Sequence, residues 1–298
     1  MPSSSPLSSN SHPTTVQSLG SGSSGNGFLI THHNTVILLD CGVGIRSLQR
    51  GLRERSRTLD GLDAIVVTHE HSDHVRTLSS FVGRDVPIVS TVGTRRRANI
   101  PPPQWEAISF ARPLEIGEVT VWAIGVSHDA AEPCGYLLET PTSSVSIFTD
   151  LGCWNDAVAE AAGASDLVVL ESNHDEVMLR RGPYPMHLKR RVASDVGHLS
   201  NAACAMALAE VLQGGATEPE IWLAHLSETN NLPELAAATT VEALATRDVV
   251  VPVTALPRRA PGPVWTGPLE PIGSAWSPTP PPVPVPQHTQ LGFDALIG

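Results

Sequence analysis

Residues 68–74 place four side chains that could bind metal in one short segment: His69, His71, Asp73 and His74. The segment directly follows the apolar, β-branched run 64–68, which predicts a buried strand. Histidine and aspartate are seldom buried together without a charge partner or a metal. In a tight turn, His69 and His71 can point to one side while Asp73 and His74 point to an adjacent position. Imidazole nitrogens and carboxylate oxygens suit zinc, and also manganese or iron, so the spacing predicts one loop serving two metal ions.

This segment is the signature of the metallo-β-lactamase superfamily. The chain is similar to one branch of it, the YycJ/WalJ (VicX) group of metallohydrolases, and more distantly resembles RNase Z. The resemblance covers about residues 18–235. It includes, in order, segments 20–26 (GSGSSGN), 40–42 (DCG), 68–74 (THEHSDH), 127–133 (SHDAAEP), 149–150 (TD), 171–175 (ESNHD), 197–201 (GHLSN) and 223–231 (LAHLSETNN).

Three further candidate ligands each follow an apolar run that predicts a strand: His128, Asp150 and His225. Taken alone, His128 is also consistent with an ordinary loop histidine. Asp150 is also consistent with a turn residue or a helix N-cap, since a glycine and a predicted helix follow it. Three separate strands that each end in a ligand-type residue favour one metal centre at one edge of the fold.

Combined with the resemblance, these positions give a ligand set for two divalent ions, zinc or manganese. The first ion would be held by His69, His71 and His128, the second by Asp73, His74 and His225, and Asp150 would bridge them. A water shared by two metals about 3.5–4 Å apart becomes the nucleophile near neutral pH, and Asp73 would also orient it. The resemblance makes Asp40 the residue that orients a liganding histidine. The alternative for Asp40 is an ordinary turn aspartate.

His198 resembles the histidine that RNase Z-like enzymes place against the scissile phosphate. There it would stabilise charge or protonate the leaving oxygen, which makes it a candidate catalytic residue beside Asp73. Glu171 would orient and polarise His198. His174 and Asp175 could also approach the site.

Residues 200–201 admit a second interpretation. Ser200 and Asn201 precede the helical pattern 202–212, so either could be a helix N-cap. We expect Asn201 to be the cap.

The loop 20–27 is rich in glycine and hydroxyl groups. Such a loop can expose backbone N–H groups to a phosphate, which makes Ser23, Ser24 and Asn26 candidate substrate contacts. It lacks the lysine of a loop that binds nucleoside triphosphates. The alternative is a flexible turn between the first strands, and beside a metal centre the two interpretations are evenly balanced.

A basic segment lies between the ESNHD and GHLSN motifs. Its candidate substrate contacts are Arg180, Arg181, Tyr184, Lys189, Arg190 and Arg191. The usual interpretation of a charge run is a solvated surface. Because both flanking motifs are expected near the metals, we favour a grip on a phosphate backbone, with the tyrosine able to stack on a base.

The composition excludes several other classes of protein. The net charge of −11 argues against a chain that coats nucleic acid over its whole surface, although it permits a local basic groove. None of the four cysteines forms a CxxC pair, so we expect reduced, buried thiols. No signal peptide and no run of about 20 apolar residues is visible, so we expect a cytoplasmic protein that does not enter a membrane.

Apolar runs and helical periodicity alternate along the chain, first strands and then strands mixed with helices. This order predicts an α/β (α+β) fold, a four-layer αββα sandwich. We expect one domain over residues 16–256, a disordered N-terminus over 1–15, and a proline-rich, disordered tail over 257–298. Proline density there excludes a helix or a central strand. No protein partner of the tail can be identified.

Three functions remain open. The first is a phosphodiesterase acting on nucleic acid, and the resemblance implies a 5′→3′ exonuclease on DNA rather than RNA. The second is a small-substrate hydrolase. The long intervening segment 171–201, with its own histidines and arginines, argues against a thioester or a lactone as the substrate, whereas a small phosphodiester stays open. The third is a non-catalytic regulatory protein linked to two-component signalling, against which the full ligand set speaks.

Overall fold

The apolar runs form two seven-stranded sheets in the computed structural model, which describes residues 12–110, 112–215 and 217–269. The first sheet has the strand order β14-β1-β2-β3-β4-β5-β6. Its strands are β1 (Thr14–Gly20), β2 (Gly27–His32), β3 (Thr35–Leu39), β4 (Ala64–Val66), β5 (Ile88–Ser90), β6 (Trp105–Ala107) and β14 (Val264–Thr266).

The second sheet has the order β13-β12-β11-β10-β9-β8-β7. Its strands are β7 (Leu114–Ile116), β8 (Val119–Gly125), β9 (Cys134–Glu139), β10 (Ser144–Phe148), β11 (Leu167–Glu171), β12 (Glu220–Ala224) and β13 (Val253–Ala255). Strands β3 to β6 run parallel in the first sheet, and β10 to β13 run parallel in the second. Each sheet therefore gathers several carboxyl ends along one edge.

Alternation along the strands sorts side chains between an inner and an outer layer. In β2, Phe28 and Ile30 join the core that also contains Tyr136 and Trp222 of the other sheet, whereas Leu29 packs on the opposite face. Helices cover the outer faces, and their bounds are α1 (Ile45–Arg53), α2 (Ser72–Val75), α3 (Val92–Ala98), α4 (Asp156–Gly163), α5 (Glu176–Arg181), α6 (Met186–Val192), α7 (Asn201–Leu212) and α8 (Pro233–Ala245). The αββα sandwich predicted from the sequence is confirmed.

Two described strands extend past the domain boundaries that the sequence suggested. Strand β1 begins at Thr14, within the segment expected to be disordered, and β14 lies in the proline-rich tail. These strands pair antiparallel, and Val16 lies opposite Trp265, which is 7% exposed and packs in the core between the sheets. An edge strand tolerates neighbouring prolines because only one of its sides needs ladder hydrogen bonds. The other residues of the two ends, 1–11 and 270–298, lie outside the described part of the chain.

Short elements escaped the sequence patterns. Strands β6, β7 and β13 have three residues each, and helices α2, α3, α5 and α6 have four to seven. Elements of this length show too few periods to be distinguished from loops. Within the described ranges, no helix combines the length and the apolar character that a membrane crossing requires.

The packing of β14 allows a test of whether residues 264–266 belong to the folded domain. Trp265→Ala should lower the free energy of unfolding by about 3 kcal/mol, because it empties an indole-sized volume between the sheets. Val264→Ala, at the neighbouring position that is 50% exposed, is the control and should change it by less than about 0.5 kcal/mol. Urea unfolding followed by circular dichroism measures both. Equal, small effects would show that residues 264–266 do not pack on the first sheet.

Candidate active site

A buried carboxylate at the end of β3 holds the loop after β4 through hydrogen bonds. Asp40 is fully buried and accepts hydrogen bonds from the backbone N–H of Thr68 at 2.9 Å and from its hydroxyl. The Nδ1 of His74 donates to the same carboxylate at 2.7 Å. Asp40 therefore lies against His74, in the orienting position that the sequence predicted for it.

Other candidate ligands leave the ends of strands in the second sheet. His128 follows β8, Asp150 follows β10 and His225 follows β12. Asp40, Asp150 and His225 have positive φ values of 58°, 55° and 51°. Such values are uncommon for residues other than glycine, and they turn each side chain away from its strand at the sheet edge.

These positions meet in two adjoining groups, one of His69, His71 and His128 and the other of Asp73, His74, Asp150 and His225. In each group the potential ligand atoms lie within 4.8 Å of one another. The shortest separations are 2.8 Å between His74 Nε2 and Asp150 Oδ2, and 3.2 Å between His71 Nδ1 and His128 Nε2. The structure thus brings together all seven residues that the sequence proposed as metal ligands.

The outer nitrogens of three histidines are held by hydrogen-bond acceptors. His74 Nδ1 donates to Asp40, His225 Nδ1 donates to Glu171 at 2.9 Å, and His128 Nδ1 donates to the Gly197 carbonyl at 3.0 Å. A neutral imidazole that donates from Nδ1 presents a lone pair at Nε2. The inner nitrogens therefore present lone pairs to the centre, which is the usual arrangement of histidines that bind a metal.

Unpartnered polar atoms at the same centre support this interpretation. His69 Nε2 is buried without a hydrogen-bond partner, and Asp150 Oδ2 has none of acceptable geometry although His74 Nε2 lies 2.8 Å away. Buried polar atoms are nearly always satisfied, so several unpaired lone pairs at one point indicate a missing positive partner. Nitrogen and carboxylate ligands at this spacing fit divalent cations such as zinc. These clusters could hold metal.

The electrostatics of the centre demand positive charge. Burial raises the pKa of Asp150, but His225 and His74 outweigh it and bring the pKa well below its ordinary value. Burial lowers the pKa of His69 well below the ordinary value, which keeps that imidazole neutral. Burial also lowers the pKa of His74, but Asp150 and Asp40 outweigh this and raise it well above its usual range. The carboxylates thus stabilise positive charge here, whether a proton or a metal supplies it.

Glu171, at the end of β11, connects His225, one of the candidate metal ligands, to His198. Its Oε1 accepts from His198 Nδ1 at 2.8 Å and from His225 Nδ1 at 2.9 Å, while Oε2 accepts from two backbone N–H groups. Burial raises the pKa of Glu171, but His198 outweighs it and the pKa falls to about 2. The predicted Glu171–His198 pair is present. The second bond, to His225, was not foreseen, since sequence spacing cannot show that one carboxylate serves two histidines.

Helix caps resolve two alternatives. Asn155, not Asp150, caps α4 by accepting from the backbone N–H of Val158. Ser200 caps α7, so the expectation that Asn201 would be the cap is wrong. The Asn201 side chain is occupied in a buried network with Ser172 and Asn231. Because Asn201 already has helical backbone angles, it is the first residue of the helix rather than its cap.

The glycine-rich loop lies beside the candidate metal ligands Asp73 and His74. Asn26 is fully buried, with its Nδ2 3.0 Å from His74 Nε2, and its Oδ1 accepts from the backbone N–H of Gly22. The loop N–H groups of Ser21 and Gly25 are also occupied, since they donate to the carbonyls of Pro257 and Gly22. Asn26 is therefore placed beside the ligands rather than at the surface. Ser23 is exposed and Ser24 is half-buried.

The six substrate contacts predicted in the basic segment lie in three different environments. Arg180, Lys189 and Arg190 line a cavity of about 450 Å³ that His198 also lines. Arg191 Nε donates to Asp129 at 2.6 Å, and Asp129 Oδ1 lies 3.4 Å from His128 Nε2. Asp129 was missed at the sequence level, although its place directly after His128 was a signal. Arg181 and Tyr184 lie on the same segment but outside the residues that line this cavity.

His174 and Asp175 also differ in their position relative to the cavity. Asp175 caps α5 by accepting from the backbone N–H of Met178 at 2.7 Å. His174 is 2% exposed and lines the cavity. Only His174 therefore approaches the site with its side chain.

Comparisons with known proteins agree with this geometry. Residues 35–220 match the family described as the beta-lactamase superfamily domain. Exodeoxyribonuclease YycJ of Bacillus anthracis is 35% identical over 73% of this chain and 84% of its own length. Exodeoxyribonuclease WalJ of Streptococcus pneumoniae serotype 2 is 35% identical over 79% of this chain and 90% of its own.

Among solved structures, the metallo-beta-lactamase fold protein YhfI from Bacillus subtilis superposes with a TM-score of 0.65 at 17% identity. The match covers 86% of this chain and all of YhfI. At that identity the likeness shows the fold alone, and it is the fold that the strand order already describes. Together with the sequence matches, it shows that the chain belongs to the metallo-β-lactamase superfamily and, within it, to the YycJ/WalJ family.

Proposed function

We propose that this protein is a binuclear metal-dependent phosphodiesterase that removes nucleotides from the 5′ end of DNA. The observation that carries the proposal is the position of Asp150, which belongs to the group with Asp73, His74 and His225 and has its Oδ1 3.7 Å from Nε2 of His128 in the other group. His198 stands beside the same carboxylate, with its Nδ1 3.6 Å from Asp150 Oδ1. Relatives that are 35% identical over most of their length are named exodeoxyribonucleases, which supports DNA as the substrate.

We assign the candidate ligands to two ions as the sequence suggested. One ion would be held by His69, His71 and His128, the other by Asp73, His74 and His225, and Asp150 would contact both. Two bound divalent ions, zinc or manganese, supply an activated water and stabilise the charge that develops on the phosphate. Asp73 is 18% exposed at its side chain, so it can also reach solvent and orient the attacking water.

His198 acts on the leaving oxygen. Glu171 accepts the Nδ1 hydrogen, so Nε2 is the nitrogen left to face the substrate. Burial lowers the pKa of His198, but Glu171 outweighs it and the net pKa is raised, which favours the protonated form. A protonated imidazole beside a scissile phosphate stabilises negative charge and gives a proton to the departing 3′ oxygen.

The metal and substrate assignments are tested together. The metal-free protein should be inactive on 5′-labelled single-stranded and duplex DNA, and reloading with zinc or manganese should restore stepwise release of label. Asp73→Ala should reduce activity to background, because it removes a ligand and the group that orients water. Asp85→Ala, an exposed carboxylate outside the site, is the control and should keep full activity. No cutting by a protein shown to hold two ions would indicate a small-substrate hydrolase instead.

Two substitutions distinguish the role of His198 as proton donor from the role of Glu171, which orients it. His198→Ala should lower kcat by about 100- to 10,000-fold while the content of bound metal stays the same. Glu171→Gln should lower kcat and also lower metal content, because it weakens the bond that orients His225. Atomic absorption and single-turnover cleavage measure the two effects. A loss of metal in His198→Ala would make His198 a ligand and contradict the assigned role.

Asp40 provides a test of ligand orientation. Asp40→Asn removes the charge that holds His74 Nδ1, so metal affinity should fall by about 10- to 100-fold. Asp63→Asn is the matched control, since Asp63 also accepts a buried backbone N–H, that of Val36 at 2.7 Å, but lies away from the ligands. Competition with a chromogenic chelator measures both affinities. Equal affinities in the two variants would contradict the orienting role.

A further inference from the structure

A cavity of about 450 Å³ opens beside His198, between helices α5, α6 and the start of α7. Its volume lies within the range of about 300–1,000 Å³ that is usual for small-ligand pockets. One part of the wall is apolar, from Leu179, Met186, Leu199 and Ala203. Since His198 lines the cavity and also contacts Glu171, a ligand there would adjoin the metal-binding cluster directly.

The wall also carries an unsatisfied polar side chain. His174 is 2% exposed, lines the cavity, and its Nδ1 is buried without a hydrogen-bond partner. Its backbone carbonyl is engaged by the N–H of Asn201, which fixes the position of the residue. An unpaired buried nitrogen is costly, so His174 has a hydrogen-bonding capacity that no group of the described residues uses.

The cavity favours an anion. Arg180, Lys189 and Arg190 line it, and Glu176 is the acidic side chain among its lining residues. Glu176 Oε1 already accepts from the Ser200 hydroxyl at 3.1 Å. Lys189 Nζ donates to the Arg180 carbonyl at 2.8 Å, which ties α6 to α5 and holds the basic side chains around one opening. Three cationic side chains and one carboxylate that is already hydrogen-bonded suit a ligand with more negative charge than a phosphodiester within a DNA strand.

Resting on the nuclease function above, we propose that this cavity receives the 5′-terminal nucleotide of the DNA and recognises its terminal monophosphate. The phosphate lies among Arg180, Lys189 and Arg190, and the sugar or base packs on the apolar wall. His198 then faces the first phosphodiester bond. In this assignment the terminal phosphate anchors the end of the strand, so the cavity sets the direction of digestion.

The test compares cleavage of the same oligonucleotide with a 5′-phosphate and with a 5′-hydroxyl. The full-length, metal-loaded enzyme should prefer the phosphorylated end by about 10- to 100-fold in kcat/KM, the gain expected from charge-assisted hydrogen bonds. In the double variant Arg180→Ala, Arg190→Ala this preference should fall close to one, because the phosphorylated end loses the contacts that favour it. Arg97→Ala, an exposed arginine on α3 outside the cavity, is the control and should keep the preference.

A second variant fills the cavity without changing charge. Ala203→Leu should raise KM for the phosphorylated substrate by about 10-fold, whereas Ala202→Leu, at the neighbouring exposed position that does not line the cavity, should not. Equal behaviour of the two leucine variants would overturn the assignment of the cavity.

Binding of deoxyadenosine 5′-monophosphate separates this inference from the proposed function. Calorimetry on the metal-loaded protein should detect binding that weakens at least 10-fold in the Arg180, Arg190 double variant and is absent for deoxyadenosine. If the mononucleotide binds in this way but DNA is not cut, the cavity assignment stands and the nuclease function fails. If DNA is cut with no preference for a 5′-phosphate and the double variant is unchanged, the nuclease function stands and the cavity assignment fails.

Discussion

The buried carboxylate of Asp150 is the constraint on which the rest of the site depends. It is 2% exposed, and Nε2 atoms of His74, His225 and His128 lie 2.8, 3.6 and 3.7 Å from its oxygens. A buried, unpaired carboxylate costs several kcal/mol, so the structure must hold positive charge around it. Imidazoles that are protonated on the inner nitrogen meet that demand, and bound metal ions would meet it in place of those protons. Asp40 and Glu171, behind the histidines, accept hydrogen bonds from the outer Nδ1 atoms.

The two sheets must pack before this arrangement exists. Asp40 and the loop after β4 come from the first sheet, whereas Asp150, Glu171 and His225 come from the parallel strands of the second. The core between the sheets therefore sets the distance between ligand groups. Left-handed backbone at three strand ends completes the geometry, because it redirects side chains that would otherwise continue along the strand. The geometry of the site therefore depends on the packing of the core between the sheets.

The local distribution of charge in this protein differs from its net charge. The chain as a whole carries −11, yet the segment between β11 and α7 places arginines and a lysine around the cavity beside His198. Arg191 is held separately by Asp129, which itself lies close to His128. A polyanion would be repelled by much of the surface and attracted at this one edge, which favours its approach toward the candidate metal ligands.

The sequence by itself determined the superfamily, the αββα architecture and the set of residues that could bind metal. It did so because the loop 68–74 carries its ligand types within one turn, and because strand-terminal ligands follow readable apolar runs. Tertiary structure alone decided that Glu171 bonds both His198 and His225, that β14 pairs with β1, and that Ser200 rather than Asn201 caps α7. These features depend on contacts between residues distant in sequence or on the backbone angle of one residue. Neither leaves a periodic pattern, so only the packed chain shows them.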